Sequence, residues 1–585
     1  MSGSPADTHL VFDFADPAGG PRRLRFTRPV EVVTARTLPE VLPALCRVRR
    51  AAEAGRYAAG FVSYEAAPAF DPALAVGPTS ALPLLWFGIF HAPDADDARE
   101  AAGEFSLSEW TPSIDRAAYG RNFDAARRAI ARGDTYQINY SFRLRARFGG
   151  DPLGLYRRLA SAQRAAYCAY LDTGRFKILS ASPELFFRLS GREIETRPMK
   201  GTARRGLWPE EDDALAARLA ASEKNRAENV MIVDLMRNDL GRVAETGTVR
   251  VRDLFKVERY PTVFQLTSTV EARARAGVAL EDVFAAAFPS GSVTGAPKIS
   301  TMRLIAALED SPRGLYCGSV GLLTPGGEAV FNVAIRTVVI DSETGAAEYG
   351  VGGALTWDSA CGDEYEEALA KAAVLSERRE PFQLLETMRL EGGRYSLLDR
   401  HLARLRASAR YFGFAFSPRA IQDCLDRHAR DSPAAARRAR LLVSESGEAR
   451  VESAPLDALP AGPVRVALAA DPVSRSDVFL YHKTTRRDVY DSRRGLDREV
   501  FDVLLSNEDG ELTEFTTGNL VVELDGRRWT PPRACGLLAG TMRAELLERA
   551  EIAERTLTAS HLAGNPPMWF VNGVRGWVPV VLDKA

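Results

Sequence analysis

Several stretches of the N-terminal part hold side chains able to do chemistry. In residues 363–371 (DEYEEALAK), Glu364, Glu367 and Lys371 fall at i, i+3 and i+7 of a helix, on one face. The plain reading is a solvated, salt-bridged helix. The chemical reading is a carboxylate pair offered to Mg²⁺, a hard ion that takes few protein carboxylates and keeps sites for water and an anionic ligand. A second acidic segment, 223–239 (EKNRAENVMIVDLMRND), sets Glu228 on the face of Ile232 and Leu235, against core rather than in solvent. In 195–205 (ETRPMKGTARR), Pro198 and Gly201 mark a strand end or turn with Lys200 between them. Most lysines there are surface residues; at a pocket wall, desolvation lowers the amine's pKa and makes it a nucleophile. Residues 291–298 (GSVTGAPK) precede a helical pattern whose first N–H groups suit a carboxylate. Residues 350–354 (GVGGA) let backbone approach a ligand closely.

The C-terminal part has a different set. A basic helical stretch over about 398–410 carries Arg404, and composition alone makes it a solvated basic face. It is followed by 481–487 (YHKTTRR), 511–523 (ELTEFTTGNLVVE) and 536–547 (GLLAGTMRAELL). In the last, Gly540 and Thr541 open a helix, a ready phosphate site.

Positioning these groups takes a large folded chain: 585 residues give a soft prior of about four compact units. Alternation over 30–34 and 60–64 predicts strands, and the acidic run 93–104 (PDADDAREAAGE) predicts a surface connection. A helix predicted from about Glu364 to Glu377 ends at SERREPF, where charge and Pro381 interrupt it. Domains are therefore expected over 1–378, with a catalytic part at about 112–375, and over 382–585. Helices and strands mix throughout, so the class is α+β or α/β.

Lysine plus arginine total 76 and aspartate plus glutamate 77, a balance that argues against nucleic-acid binding. The most apolar run, 81–90 (ALPLLWFGIF), contains a proline and is half of the roughly 20 residues a membrane span needs. The N-terminus shows no signal peptide. Six scattered cysteines without a CxxC read as reduced thiols. The expectation is a cytoplasmic protein with neither nucleic-acid nor membrane partners.

Taken together and in order, the N-terminal motifs resemble those of the chorismate-utilising enzymes: anthranilate and aminodeoxychorismate synthase components I, and the isochorismate and salicylate synthases. The resemblance covers about 112–375 strongly and 10–100 diffusely. It implies antiparallel sheets packed face to face with helices outside, and chorismate as substrate. It implies Mg²⁺ on Glu228 and Glu367, with Glu364 beside them. Arg336 (AIRT) and the backbone of Gly352 and Gly353 would take a substrate carboxylate, with Thr294, Gly295 and Lys298 in the same pocket wall. Glu184 (SPELF) would be the general acid that assists loss of the ring hydroxyl.

Two positions discriminate within that family. Lys200 stands where anthranilate synthases carry alanine, and marks the para-aminating type, whose lysine amine attacks the ring. Gln137 (DTYQINYSFR) stands where hydroxylating relatives carry a water-activating lysine. Ala354 replaces the third glycine of GxGGG, and Gln265 (VFQLTS) stands where many relatives have histidine, so it receives no acid/base role. This region holds only His9 and His91, which leaves Cys317 (LYCGS) without a base. Ammonia is therefore expected from a separate glutamine amidotransferase subunit, or as free ammonium.

The C-terminal motifs resemble the class IV pyridoxal-phosphate enzymes over about 382–580, ending in FVNGVRGWVPV. That implies a two-lobed fold type IV domain binding pyridoxal 5'-phosphate, in folds that are commonly homodimeric. Lys483 would bond the cofactor and shuttle the α-proton, and Glu514 would pair with the pyridinium nitrogen. Arg404, the backbone around Gly518 and Asn519, and Thr541 would hold the phosphate, and Thr387 (LLETMR) would guide elimination in lyases. These residues do not separate transaminase from lyase, but the fusion does: a synthase of 4-amino-4-deoxychorismate feeds a lyase that expels pyruvate and leaves 4-aminobenzoate, the folate precursor. One alternative is an anthranilate-type synthase fused to a branched-chain or D-amino-acid aminotransferase, which Lys200 opposes. The other is a non-catalytic binding protein that keeps both folds, which the joint presence of Lys200, Glu184, Lys483 and Glu514 opposes.

Overall fold

A computed structural model describes residues 8–15, 21–95, 103–376, 380–460, 462–494 and 500–583. Contacts divide the chain into two units. One comprises Met1–Arg205 and Ala216–Arg379; the other comprises Glu380–Ala585 together with Gly206–Leu215. That short segment joins the second unit through Trp208, which stacks on Tyr481, and through the Asp213–Arg410 ion pair. Of the expected connection 93–104, residues 96–102 lie outside the described residues. No described helix is long and apolar enough to cross a membrane.

The first unit is built on two ten-stranded sheets in which every strand pair is antiparallel. One contains Gln137–Gly150, Ala346–Leu355, Thr337–Asp341, Phe176–Ser182 and Tyr167–Asp172; the other contains Met199–Arg204, Val263–Arg273, Ala329–Val333, Tyr57–Val62 and Leu85–Phe90. A shared apolar layer of Phe12, Leu171, Ile178, Phe61, Trp86 and Leu322 packs them face to face. Their outer faces carry helices: Leu38–Glu53 and Glu223–Gly241 on one side, Arg116–Ala131 and Pro152–Gln163 on the other.

Strands buried on both faces lose polar alternation. In Tyr57–Val62, Ala59 and Phe61 enter the layer between the sheets while Ala58 and Val62 face the helices. The alternation expected over 60–64 is thus displaced to a continuous apolar strand at 57–62. The acidic helix runs over Cys361–Ala370, with Asp363 and Glu364 in its first turn, where they complement the helix dipole. A separate 3₁₀ turn at Ala373–Leu375 follows it, shorter than the helix expected to reach Glu377, which itself lies outside the described residues.

The second unit has two sheets. Four antiparallel strands, Arg394–Tyr395, Leu384–Glu391, Arg437–Val443 and Ala449–Pro455, pack against the helices Leu398–Phe412 and Pro418–Asp431 through Met388, Leu405, Ile421 and Leu441. The other sheet has eight strands of mixed direction. The pairing Glu514↔Asn519 joins Leu512–Phe515 to Asn519–Leu524 and closes six of the eight into a ring around Val466, Phe515, Leu520 and Phe570. The fold of the whole is α+β.

Phe61→Ala should lower the stability of the first unit by about 3–5 kcal/mol, because the layer between two sheets cannot collapse onto the void. The check is urea unfolding, with a lower midpoint and an unchanged slope.

Candidate active sites

In the first unit the strand Met199–Arg204 contains a bulge. Met199 pairs with Thr267 and Thr202 with Gln265, so the strand has one extra residue. Gly201 takes up the bulge at φ 96°, and a side chain there would crowd Asn225 and Leu266. The bulge lies immediately after Lys200, which lines a cavity of about 350 Å³. Facing it are Glu184, Glu228, Arg336, Glu364 and Glu367.

The electrostatics pull the amine and its neighbour toward neutrality. Burial pushes the Lys200 amine below its ordinary pKa and the Lys371 ammonium pushes it further, against the pull of Glu184, Glu228 and Glu367. Burial also raises the Glu184 carboxyl, although the Ser292 hydroxyl donates to its Oε1 at 2.5 Å. Glu364 and Glu367 project from the helix Cys361–Ala370 and Glu228 from Glu223–Gly241. Burial raises Glu364, which accepts the Ser359 hydroxyl at 2.6 Å. At Glu367 burial is outweighed by Lys371, whose Nζ lies 2.9 Å from Oε1, and the carboxyl is lowered. Lys371 Nζ also donates to the Gly352 carbonyl at 3.0 Å. Among the described residues no three acidic, histidine or cysteine side chains form a ready-made metal cage; the three glutamates share a cavity instead.

Thr294, Gly295, Lys298 and Gly353 do not line the cavity. The Thr294 hydroxyl donates to the Ser290 carbonyl, and Gly295 pairs with Ile138, leaving no space for a side chain beside the Gln137 carbonyl. Lys298 forms a buried ion pair with Asp239 at 2.7 Å and donates to Ala287 O. Gly353 instead leaves room for the Glu364 carboxylate. The GSVTGAPK segment reaches the cavity two residues earlier, through Ser292 and Val293. Lys224 and Asn139, also in the lining, carried no sequence signal; Lys371 did, as a member of the acidic helix's face. Cys317 is fully buried, with its thiol pushed up to about 11 by burial, which removes it as a nucleophile.

The second unit holds a cavity of about 550 Å³ lined by Lys483, Glu514, Arg404, Thr387, Gly518 and Thr541, with Asn519 beside them. Burial, with the charges of Arg487 and Arg404, lowers the Lys483 amine to about 7. Glu514 is raised to about 7 by burial while accepting from Tyr490 Oη at 2.9 Å, Leu538 N at 3.0 Å and Asn519 Nδ2 at 3.2 Å. The Asn519 side chain thus holds Glu514 and donates to Leu538 O at 2.9 Å. Thr541 opens the helix Thr541–Glu548 with Gly540 as its cap. Gly573 lies against Thr541 Oγ1 and His401 Nε2, where a side chain would cover both. The start of this helix, with its free N–H groups, is thus left uncovered toward the cavity. Arg438 and Arg440 on Arg437–Val443 also face this cavity; basic residues on an ordinary sheet strand gave no signal of it.

Residues 20–377 match the chorismate binding enzyme family, and residues 383–582 match the class IV amino-transferases. The first match spans more than half of the chain, which therefore belongs to the chorismate binding enzymes, with a class IV amino-transferase domain following. The chain is 42% identical over 278 residues to aminodeoxychorismate synthase component 1 of Klebsiella aerogenes, covering 48% of this chain and 61% of that protein. It is 40% identical over 272 residues to anthranilate synthase component 1 of Aquifex aeolicus, covering 46% and 55%. Anthranilate synthase component I of Streptococcus pneumoniae is similar in structure, with a TM-score of 0.51 and 26% identity, over 64% of this chain and 91% of that one. The matched stretches span between 29% and 61% of the curated relatives' own lengths.

Lys298→Met should destabilise the first unit by about 3–5 kcal/mol by stranding a buried Asp239 carboxylate. Adding Asp239→Leu should recover most of that loss in denaturant unfolding; a double variant as unstable as the single would show that the pair is not what Lys298 serves.

Proposed function

We propose that the chain makes 4-aminobenzoate in two steps: amination of chorismate to 4-amino-4-deoxychorismate in the first unit, then elimination of pyruvate in the second. The observation that carries the reading is Lys200, an amine held toward its neutral form and facing three carboxylates and a raised Glu184. Overall identity does not distinguish para from ortho amination, since relatives with both names align at 40–42%; position 200 does.

In the first step the neutral Lys200 amine attacks the cyclohexadiene ring, the C4 hydroxyl leaves, and Glu184 supplies the proton with which it departs as water. Ammonia then enters at C4, and the bond to Lys200 breaks with return of its electron pair to nitrogen. We infer that the ammonia comes from a separate glutamine amidotransferase chain or from free ammonium.

The lining fits a divalent cation. Lys224, Arg336 and Lys371 stand against Glu228, Glu364 and Glu367, three bases facing three acids, beside a Lys200 amine lowered and a Glu184 carboxyl raised by burial. A dicarboxylate entering it brings two uncompensated negative charges, which Mg²⁺ on the glutamates would offset while polarising the substrate. Arg336 and the Gly352 backbone would orient the carboxylate.

In the second cavity pyridoxal 5'-phosphate would supply an electron sink for the carbon bearing the amine. Lys483 would hold it and move the proton from that carbon, Glu514 would hold the ring-nitrogen proton, and the Arg404–Thr541 cradle would take the phosphate. Cleavage of the C–O bond releases the enolpyruvyl group, which gains a proton to become pyruvate, and the ring becomes aromatic. Arg438, Arg440, Arg487 and Arg575 in the lining favour a dicarboxylate amine over a branched-chain substrate. Thr387, across the strand pair from Arg440, is placed to orient the leaving group. The site of action we infer is the cytoplasm, where both compounds would be made and used.

Purified chain with chorismate, Mg²⁺, ammonium and pyridoxal 5'-phosphate should release 4-aminobenzoate and pyruvate in equal amounts by chromatography; anthranilate as product overturns the reading. Lys200→Ala should lose at least about a hundredfold in amination yet still convert supplied 4-amino-4-deoxychorismate. Lys483→Ala should let that intermediate accumulate without pyruvate, as followed by mass spectrometry.

A further inference from the structure

We propose that Glu386, which does not itself reach the C-terminal cavity, is a positioning residue that holds Arg404 in the orientation needed to grip the phosphate of the cofactor and, through His401, fixes the Thr541 side chain beside it. The inference rests on the cofactor assignment made above. Leu385 and Thr387 flank Glu386 and line the cavity, whereas the Glu386 side chain is 1% exposed and absent from the lining. Its hydrogen bonds run to two residues that do line it. Oε1 accepts from Arg404 Nε at 2.9 Å, and Oε2 accepts from Arg404 Nη2 and from His401 Nδ1, both at 2.6 Å.

The geometry does two things. A bidentate carboxylate fixes the plane of the Arg404 fork and leaves Nη1, which donates to Ala539 O at 3.1 Å, next to Gly540 and Thr541. At His401, an acceptor-only carboxylate on Nδ1 fixes the proton there. That leaves Nε2 as acceptor for the Thr541 hydroxyl, 3.2 Å away. Arg404 and His401 stand three residues apart on the helix Leu398–Phe412, so one carboxylate sets both. The carboxyl stays ionised: burial raises it, but Arg404 and then His401 outweigh burial and bring it down to about 2. Burial also keeps His401 below its ordinary pKa. A carboxylate serving stability alone has no reason to spend every bond on the walls of one cradle.

The test compares two ligands that differ only in the phosphate. The cofactor-free full chain, wild type and Glu386→Gln, is titrated with pyridoxal 5'-phosphate and with pyridoxal, binding being read from absorbance. The wild type should prefer the phosphorylated compound; Glu386→Gln should bind it about ten- to a hundredfold more weakly and bind pyridoxal within about twofold of wild type. Equal losses for both compounds, or no loss for either, overturn the inference. Wild-type chain that captures neither compound overturns the cofactor assignment, and this inference with it. If Glu386→Gln does not fold, ¹⁵N NMR of wild-type His401 decides: an Nδ1–H tautomer kept from pH 5 to 8 upholds the proposal, and an Nε2–H or a freely titrating ring overturns it.

Discussion

Taking an amine out of water is the physical step on which both halves of this chain depend. An ammonium loses hydration in a low-dielectric cavity, so its proton is held less tightly and its lone pair becomes available. At Lys200 and at Lys483 burial is the largest influence, and a neighbouring cation adds to it: Lys371 in one site, Arg487 and Arg404 in the other. The same burial acts in the opposite sense on Glu184 and Glu514, each raised. Each cavity thus moves a lysine and a glutamate in the same sense, toward the forms in which one can give an electron pair and the other can hold or give a proton.

Such an arrangement is stable only where rigid walls keep water out. In the first unit the walls are the bulged strand around Lys200, the GVGG strand and two helices pinned by apolar layers. The Glu309 carboxylate shows how much ionic structure this takes: it accepts from Ser141 N at 3.0 Å and from the buried Arg313 at 2.6 Å, behind the strand that carries Asn139. In the second unit the ring closed at Glu514↔Asn519 does the same work, because the pairing that shuts the ring also sets the glutamate's place.

What the sequence disclosed follows from how local each signal is. Glu364, Glu367 and Lys371 lie within two helical turns, so their common face is a matter of spacing. Pro198 and Gly201 announce a break in the strand around Lys200, but that it is a bulge within Met199–Arg204 and not a turn is set by the pairing with Val263–Arg273. The buried pairing of Lys298 was not legible, because its partner, Asp239, is 59 residues away and no local pattern announces such a pair. The strand at 57–62 was displaced because a strand with two buried faces has no alternation to read. Glu386 lies in the same LLETMR stretch that drew attention to Thr387. Strand alternation puts the two on opposite faces, and only the packing of the helix Leu398–Phe412 reveals what the hidden face holds.

The two cavities also differ in the charge of their linings. The first sets three bases against three acids around Lys200, so that on the proposed reading an added cation would help a dicarboxylate to settle. The second sets Arg404, Arg438, Arg440, Arg487, Arg494 and Arg575 against Glu514 and Asp457, an excess of positive charge that would suit a phosphate and a dicarboxylate together. A lysine near neutrality is easier to maintain in that second field, since every surrounding guanidinium opposes its protonation. Arg404 is the exception that needs restraint: a guanidinium free to swing would meet the bound carboxylates as readily as the phosphate. A buried carboxylate that fixes the plane of its fork therefore keeps two anion sites in one cavity distinct.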